Sequence, residues 1–141
     1  MDVIAEGQSY RIRLSDIDAP EASHCVVRPQ AECQLKGQPW AEQSTESLQE
    51  LLRGRVVELR CSDFDARYGR SVCRITAGEV DVNLEQVRRG LAWFNTKYSG
   101  DNQVRKAETE ARRRRIGLWS APAPVEPWIW RQNCWKRGIC G

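Results

Sequence analysis

Arg13, Asp16, Asp18 and Glu21 lie within nine residues, Arg-Leu-Ser-Asp-Ile-Asp-Ala-Pro-Glu. An arginine beside several carboxylates is equipped to act on a phosphate. Its planar fork meets phosphate oxygens at two points, carboxylates gather a hard cation, and one carboxylate can orient or deprotonate a water. The simpler reading is a strand-end salt-bridge cluster. Further along, Asp65-Ala-Arg-Tyr-Gly-Arg70 sets Arg67 and Arg70 around a tight turn. A second arginine there would hold a phosphodiester from its other side and stabilise a five-coordinate transition state. A solvated hairpin turn is the alternative. The run Arg112 to Arg115 suits either the last turn of a helix, where it complements the macrodipole, or a nucleic-acid patch. His24, the only histidine, has no triad pattern around it and reads as an ordinary loop residue. The chain has no Gly-rich phosphate cradle, Gly-x-Ser-x-Gly or His-Glu-x-x-His.

These side chains need elements to position them. Tyr10, Ile12 and Leu14 alternate with Arg11, Arg13 and Ser15, which predicts a half-buried strand over Tyr10–Ile17. The same parity carries Asp16 and Asp18 to the apolar side, where each carboxylate needs a partner. Pro20 stops the strand and Glu21 follows on the exit loop. Before it, Asp2–Glu6 reads as a strand with Gly7-Gln8 as the turn; after it comes a polar loop to about Gly37. Trp40, Ser44, Leu48, Leu51 and Leu52 recur at helical spacing, predicting a helix over Pro39–Leu52. Val57, Leu59 and Cys61, then Val72 to Thr76, alternate as two strands joined by Ser62–Gly69. Asn83 with Gln86 forms a capping-box pattern ahead of Leu84, Val87 and Leu91. Asp101 caps another helix bearing Val104, Ala107 and Ala111, with Gly117 as its stop. From Ala121 the chain becomes Pro- and Trp-rich, and its tryptophans could stack on bases or cover an open barrel edge. Short strands first, helices between and after, predict an α+β fold with a small barrel as one candidate, over residues 1–121, followed by a tail over 122–141.

A chain of 141 residues is long enough for one domain with a real core. Its net charge of +3 is mixed in sign and says little about partners. No apolar run has membrane-spanning length and no signal-peptide core opens the chain, which fits a cytosolic protein or a trimmed exported one. The six cysteines favour export: Cys25/Cys33, Cys61/Cys73 and Cys134/Cys140 are close pairs without zinc-site spacing. A hairpin centred near Arg67 would set Cys61 opposite Cys73.

Arg-Leu-x-x-Ile-Asp-Ala-Pro-Glu (13–21), Tyr-Gly-Arg (68–70), Val-Asn-Leu-Glu-Gln-Val-Arg-Arg-Gly-Leu-Ala (82–92) and Arg-Lys-Ala-Glu-x-x-Ala with Gly-Leu-Trp (105–119) occur in this order. Together they resemble the staphylococcal nuclease (thermonuclease) family from about Asp2 to Trp119. The resemblance implies an OB-type five-stranded barrel with three helices and a Ca²⁺-dependent phosphodiesterase. Such an enzyme cuts DNA and RNA, preferably single-stranded, with little sequence preference, leaving 3′-phosphate and 5′-hydroxyl ends. It makes Arg13 and Arg70 phosphate-clamping residues and Glu21 the residue that positions or deprotonates water. Asp18 becomes a Ca²⁺ ligand with the Ala19 carbonyl. Arg67, Tyr68 and Tyr98 become nucleotide contacts.

Family members open with a strand ending Asp-Gly-Asp-Thr, which carries a second metal carboxylate and precedes the strand that starts here at Asp2. The chain is therefore expected to lack the first barrel strand, to bind Ca²⁺ weakly through Asp18 with Asp16 as substitute ligand, and to be at most feebly active. Its open barrel edge would be covered by the tail or by a second copy, as a homodimer or strand-swapped assembly. The tail's Pro-Trp-x-Trp-Arg pattern resembles Gram-negative relatives, and secretion or a periplasmic location is expected. Two other readings stay open: a non-catalytic nucleic-acid-binding module of the same fold, and a disulfide-rich secreted inhibitor or structural domain.

Overall fold

The computed structural model describes residues 1–26 and 32–141. In chain order its elements are β1 (Asp2–Ala5), β2 (Gln8–Leu14), β3 (Ile17–Asp18), β4 (His24–Val26), β5 (Glu32–Leu35), α1 (Ala41–Leu52), β6 (Val57–Asp65), β7 (Arg70–Ala77), β8 (Val80–Asp81), α2 (Val82–Arg88), β9 (Trp93–Phe94), α3 (Asn102–Arg113) and α4 (Pro127–Trp130). A 3-10 turn at Gly117–Ser120 precedes α4, and a π-helical turn at Arg131–Trp135 continues it.

The α+β class agrees with the sequence. The main sheet has the order β1-β2-β7-β6, with β8 pairing β7; β2 and β7 are parallel and the other neighbours antiparallel. Alternation buries Ile12 of β2 with Cys73, Ile75 and Ala77 of β7, and Leu51 of α1 and Val82 of α2 cover them. A second cluster joins Ile17, Leu84, Val87, Phe94 and Val104 between β3, α2, β9 and α3. Among the described residues the sheet is open, with β1 and β6 at its two ends, and no closed OB-type barrel is seen. Among the described residues there are four α-helices rather than three. The fourth starts at Pro127, whose fixed φ and missing N–H suit a first helical position.

The strand predicted over Tyr10–Ile17 is interrupted. Ser15 and Asp16 form a turn in which Asp16 has φ 67°, and β3 then pairs with β9 through Ile17–Phe94 and Asp18–Trp93. The alternation that was to put Asp16 and Asp18 on one face therefore fails between them. Part of the predicted loop from Glu21 to Gly37 is a hairpin, β4 against β5, with Cys25 in register with Cys33. Residues 27–31 and the side chain of Cys33, and with it the expected Cys25–Cys33 bond, lie outside the described residues.

Two caps differ from the pattern reading. Asp81, not Asn83, caps α2 by accepting from the Leu84 N–H at 3.1 Å. Asn83 is instead buried and ties three segments: its Oδ1 accepts from Ile75 N–H, and its Nδ2 donates to the Ser15 and Cys73 carbonyls. Gln86, assigned to the capping box, donates to the Ser44 carbonyl and accepts from Ser47 Oγ, linking α2 to α1. Asp101 does cap α3, accepting from Gln103 and Val104 N–H. Gly117 is not that helix's stop; Arg115 takes the left-handed position at φ 51°. Gly117 permits a backbone crossing, since a Cβ there would sit 2.2 Å from the Gly90 carbonyl oxygen.

Cys61 and Cys73 face each other across β6 and β7 and are bonded, as are Cys134 and Cys140. The first bond closes a loop with sequence separation 12 and enters the core at fully buried Cys73. Cys61→Ser with Cys73→Ala lowers unfolding free energy by about 3 kcal/mol in denaturant titration. An unchanged midpoint would mean the β6–β7 hairpin does not depend on the bond.

Candidate active site

Parallel pairing aligns Arg13 of β2 with Val72 of β7. Two residues back along β7, Arg70 shares that face, so Arg13 and Arg70 are diagonal neighbours on the side opposite the core. Arg70 Nη2 donates to Asp65 Oδ2 at 2.7 Å across the hairpin end. This bond, with the nearby charge of Arg13 adding to it, holds the Asp65 carboxyl below its ordinary range. Arg70 Nε is buried without a hydrogen-bond partner among the described residues. The guanidinium of Arg13 lies 6.0 Å from the Tyr98 ring centre.

Exposed aromatic rings flank the arginines. Tyr68 is under both Arg67 (5.3 Å) and Arg70 (4.8 Å), and Tyr98 carries Lys97 at 5.1 Å. Tyr68 is 54% exposed and Tyr98 71% exposed, so both rings reach solvent beside the arginines, each with cationic side chains over it. The predicted contacts Arg67, Tyr68 and Tyr98 thus border Arg13 and Arg70.

The carboxylates divide into two groups. Asp18, at the end of β3, and Glu21, after half-buried Ala19 and buried Pro20, share one guanidinium, that of Arg131 from the tail. Arg131 Nη2 is 2.9 Å from Asp18 Oδ2, Nη1 is 3.4 Å from Asp18 Oδ1, and Nη1 also donates to Glu21 Oε1. Burial pushes the Glu21 carboxyl above its ordinary pKa, although the Arg131 hydrogen bond and charge oppose the shift. Burial works to lower the Arg131 pKa but is outweighed by its bonds to Asp18 and Glu21, so it stays firmly charged.

Asp16 does not join Asp18. It faces Arg74, with Nη1 at 3.1 Å, and accepts from Ser99 Oγ at 2.6 Å. Arg74 also holds Asp101 (2.9 Å) and, at two points, Asp81 (2.8 and 2.9 Å). One guanidinium therefore ties β7 to the Asp16 turn and to the N-caps of α2 and α3, a framework role the residue pattern did not signal. Arg74→Met should cost about 3 kcal/mol, because three half-buried carboxylates lose their common counter-charge. The Arg74 hydrogen bond depresses the Asp101 pKa, so this stabilisation is full above the ordinary carboxylate value and is lost as pH falls through the lower folded value. Thermal melting of wild type and variant should accordingly converge as pH falls through the lowered folded value. A gap that does not narrow on acidification would refute the ion-pair account.

Arg112 lies over Trp93 (5.2 Å) and Trp119 (4.1 Å) and pairs with Glu108, while Arg113 pairs with Glu110. The basic run is thus partly spent on the helix itself. Trp128 contacts Trp93, and Trp130 and Trp135 donate to the Lys36 carbonyl, so the tail lies beside the Asp18–Glu21 segment. His24 is on β4, edge-on to Trp135 at 5.4 Å. Arg131 was missed because only its place in the Pro-Trp-x-Trp-Arg pattern marked it.

Among the described residues no group of three His, Cys, Asp or Glu side chains could hold a metal ion, and no helix is long and apolar enough to cross a membrane.

A family model described as staphylococcal nuclease homologue matches residues 11–121. An uncharacterized endonuclease of Escherichia coli O157:H7 is 35% identical over 134 residues, covering 94% of this chain and 78% of the relative. A micrococcal nuclease of Shigella flexneri is 34% identical, covering 94% and 74%. Staphylococcal-like nuclease CAN1 of Arabidopsis thaliana is 33% identical over 93% of this chain, which spans 35% of that relative. The chain likewise spans about a third of its Capnoides sempervirens and rice relatives.

Proposed function

The chain belongs to the staphylococcal nuclease homologue family, and from that premise we propose that it hydrolyses phosphodiester bonds in DNA and RNA, with little sequence preference, leaving 3′-phosphate and 5′-hydroxyl ends. The observation that carries the reading is the placement of Arg13 and Arg70 on one face of the β2–β7 pair, bordered by exposed tyrosine rings.

A phosphodiester enters between the two arginines. Its oxygens take the place of Asp65 on Arg70 and engage the unpartnered Arg70 Nε, while Arg13 meets the other side. Neighbouring bases stack on Tyr68 and Tyr98, and Arg67 contacts the backbone. Stacking needs no base-specific hydrogen bonds, which suits single strands and low sequence preference. Glu21 orients a water and takes its proton as the oxygen attacks phosphorus. The bond to the 5′ oxygen breaks, and that oxygen leaves with a proton from solvent. The arginines stabilise charge on the five-coordinate phosphorus.

Calcium is the cation that the family resemblance implies, with Asp18 and the Ala19 carbonyl as ligands. The residues as arranged do not fit it. Asp16 is committed to Arg74, and the charges of Asp18 and Glu21 are met by Arg131. The two disulfides found among the described residues support a secreted or periplasmic setting within the same reading.

The test is to incubate the chain with 5′-labelled single-stranded DNA and RNA, with Ca²⁺ or with chelator, and to analyse fragment ends. Fragments carrying 3′-phosphate support the reading. Tight binding with no cleavage in any condition would make the chain a binding module instead.

A further inference from the structure

We propose that Arg131 is a residue of the site, supplying from the tail the positive charge that Asp18 and Glu21 require and setting the affinity of that carboxylate pair for a divalent cation. Two half-buried carboxylates three residues apart repel each other and lose hydration, so the pair demands a cation. The guanidinium meets that demand with contacts to both oxygens of Asp18 and one of Glu21. A hard divalent ion would draw on the same oxygens, and its charge repels a guanidinium held at hydrogen-bonding distance from them. The two cations compete.

The tail is built to deliver this side chain. Trp130, buried and immediately before Arg131, donates Nε1 to the Lys36 carbonyl at 3.1 Å, and Trp135 donates to the same oxygen at 2.9 Å. Gln38 donates to the Val125 carbonyl and also accepts from the Glu21 N–H. The loop that carries Glu21 and the tail that carries Arg131 are thus fastened to the same Lys36–Gln38 segment. Downstream, the Cys134–Cys140 bond closes the turn that follows. With its backbone pinned on both sides, Arg131 yields to an ion by rotating its side chain.

The inference uses the placement of Asp18 and Glu21 and shares the assignment of that pair with the proposed function, but its test is a binding measurement. Ca²⁺ is titrated calorimetrically into the folded wild-type chain and into Arg131→Gln at pH 7.5. Removing one positive charge at contact distance should tighten Ca²⁺ binding about tenfold or more. Arg131→Lys keeps the charge and should bind Ca²⁺ within a few-fold of wild type. In an Asp18→Asn background, Arg131→Gln should no longer tighten binding, because the shared ligand is gone. Circular dichroism of each variant checks that it is folded; if Arg131→Gln does not fold, Arg131→Met, which keeps the aliphatic stem without the charge, takes its place with the same expectation. Unchanged or weaker Ca²⁺ binding in Arg131→Gln, or equal tightening with and without Asp18, would overturn the proposal. Either result stands whether or not the chain cleaves nucleic acid.

Discussion

Arg70→Lys lowers kcat/KM for cleavage of a single-stranded oligonucleotide by about a hundredfold or more, and Arg13→Lys does the same. Lysine keeps the charge but is a point donor. It cannot bridge two phosphate oxygens, and the lost transition-state stabilisation is about 3 kcal/mol. The β2–β7 register makes the two losses separate, since each arginine approaches the diester from its own strand. Structural damage is distinguishable from lost chemistry: Arg13 has no ion pair among the described residues, so Arg13→Lys should melt within a degree or two of wild type. Turnover within a few-fold of wild type in either folded variant would remove that arginine from the mechanism.

Glu21→Gln lowers kcat by about 10²–10⁴-fold, the range for losing a positioned general base, with a much smaller change in KM. Stability should move the other way. The Glu21 pKa is raised by burial, so the folded state favours the protonated acid. That preference stabilises the fold below the unfolded pKa and is lost as pH rises through the folded value. At pH 7 the charged carboxylate is therefore a liability that neutral glutamine removes, and Glu21→Gln should melt no lower than wild type. A variant inactive and also several degrees less stable would point to a structural role for Glu21.

Local signals carried much of this fold. Alternation located β2, β6 and β7 and placed Cys61 opposite Cys73, because register in a hairpin follows from its turn. The Asp101 cap was legible because its partners are two and three residues away. Where the expectation failed, a tertiary partner outweighed a local one. Asp16 leaves the strand parity because Arg74 and Ser99, distant in sequence, hold it in a left-handed turn. Asn83 satisfies both capping and core patterns, and the core took it: three backbone groups of β7 and the Ser15 turn needed a buried amide. Residue type and spacing singled out Arg13, Asp18, Glu21 and Arg70 as candidates for the site. They did not single out Arg131, since it meets Glu21 from 110 residues away, and no period or cap constrains such a contact.

The proposed role of Glu21 as base for a diester held by Arg13 and Arg70 is decided by the pH dependence of kcat/KM, measured for wild type and Glu21→Gln on the same oligonucleotide at constant ionic strength. Because the base must be ionised and burial raises its pKa, the wild-type rate should climb with pH along an acid limb whose midpoint lies above the ordinary glutamate value, and the residual rate of Glu21→Gln should lack that limb. A limb of the same midpoint in both proteins would contradict the account.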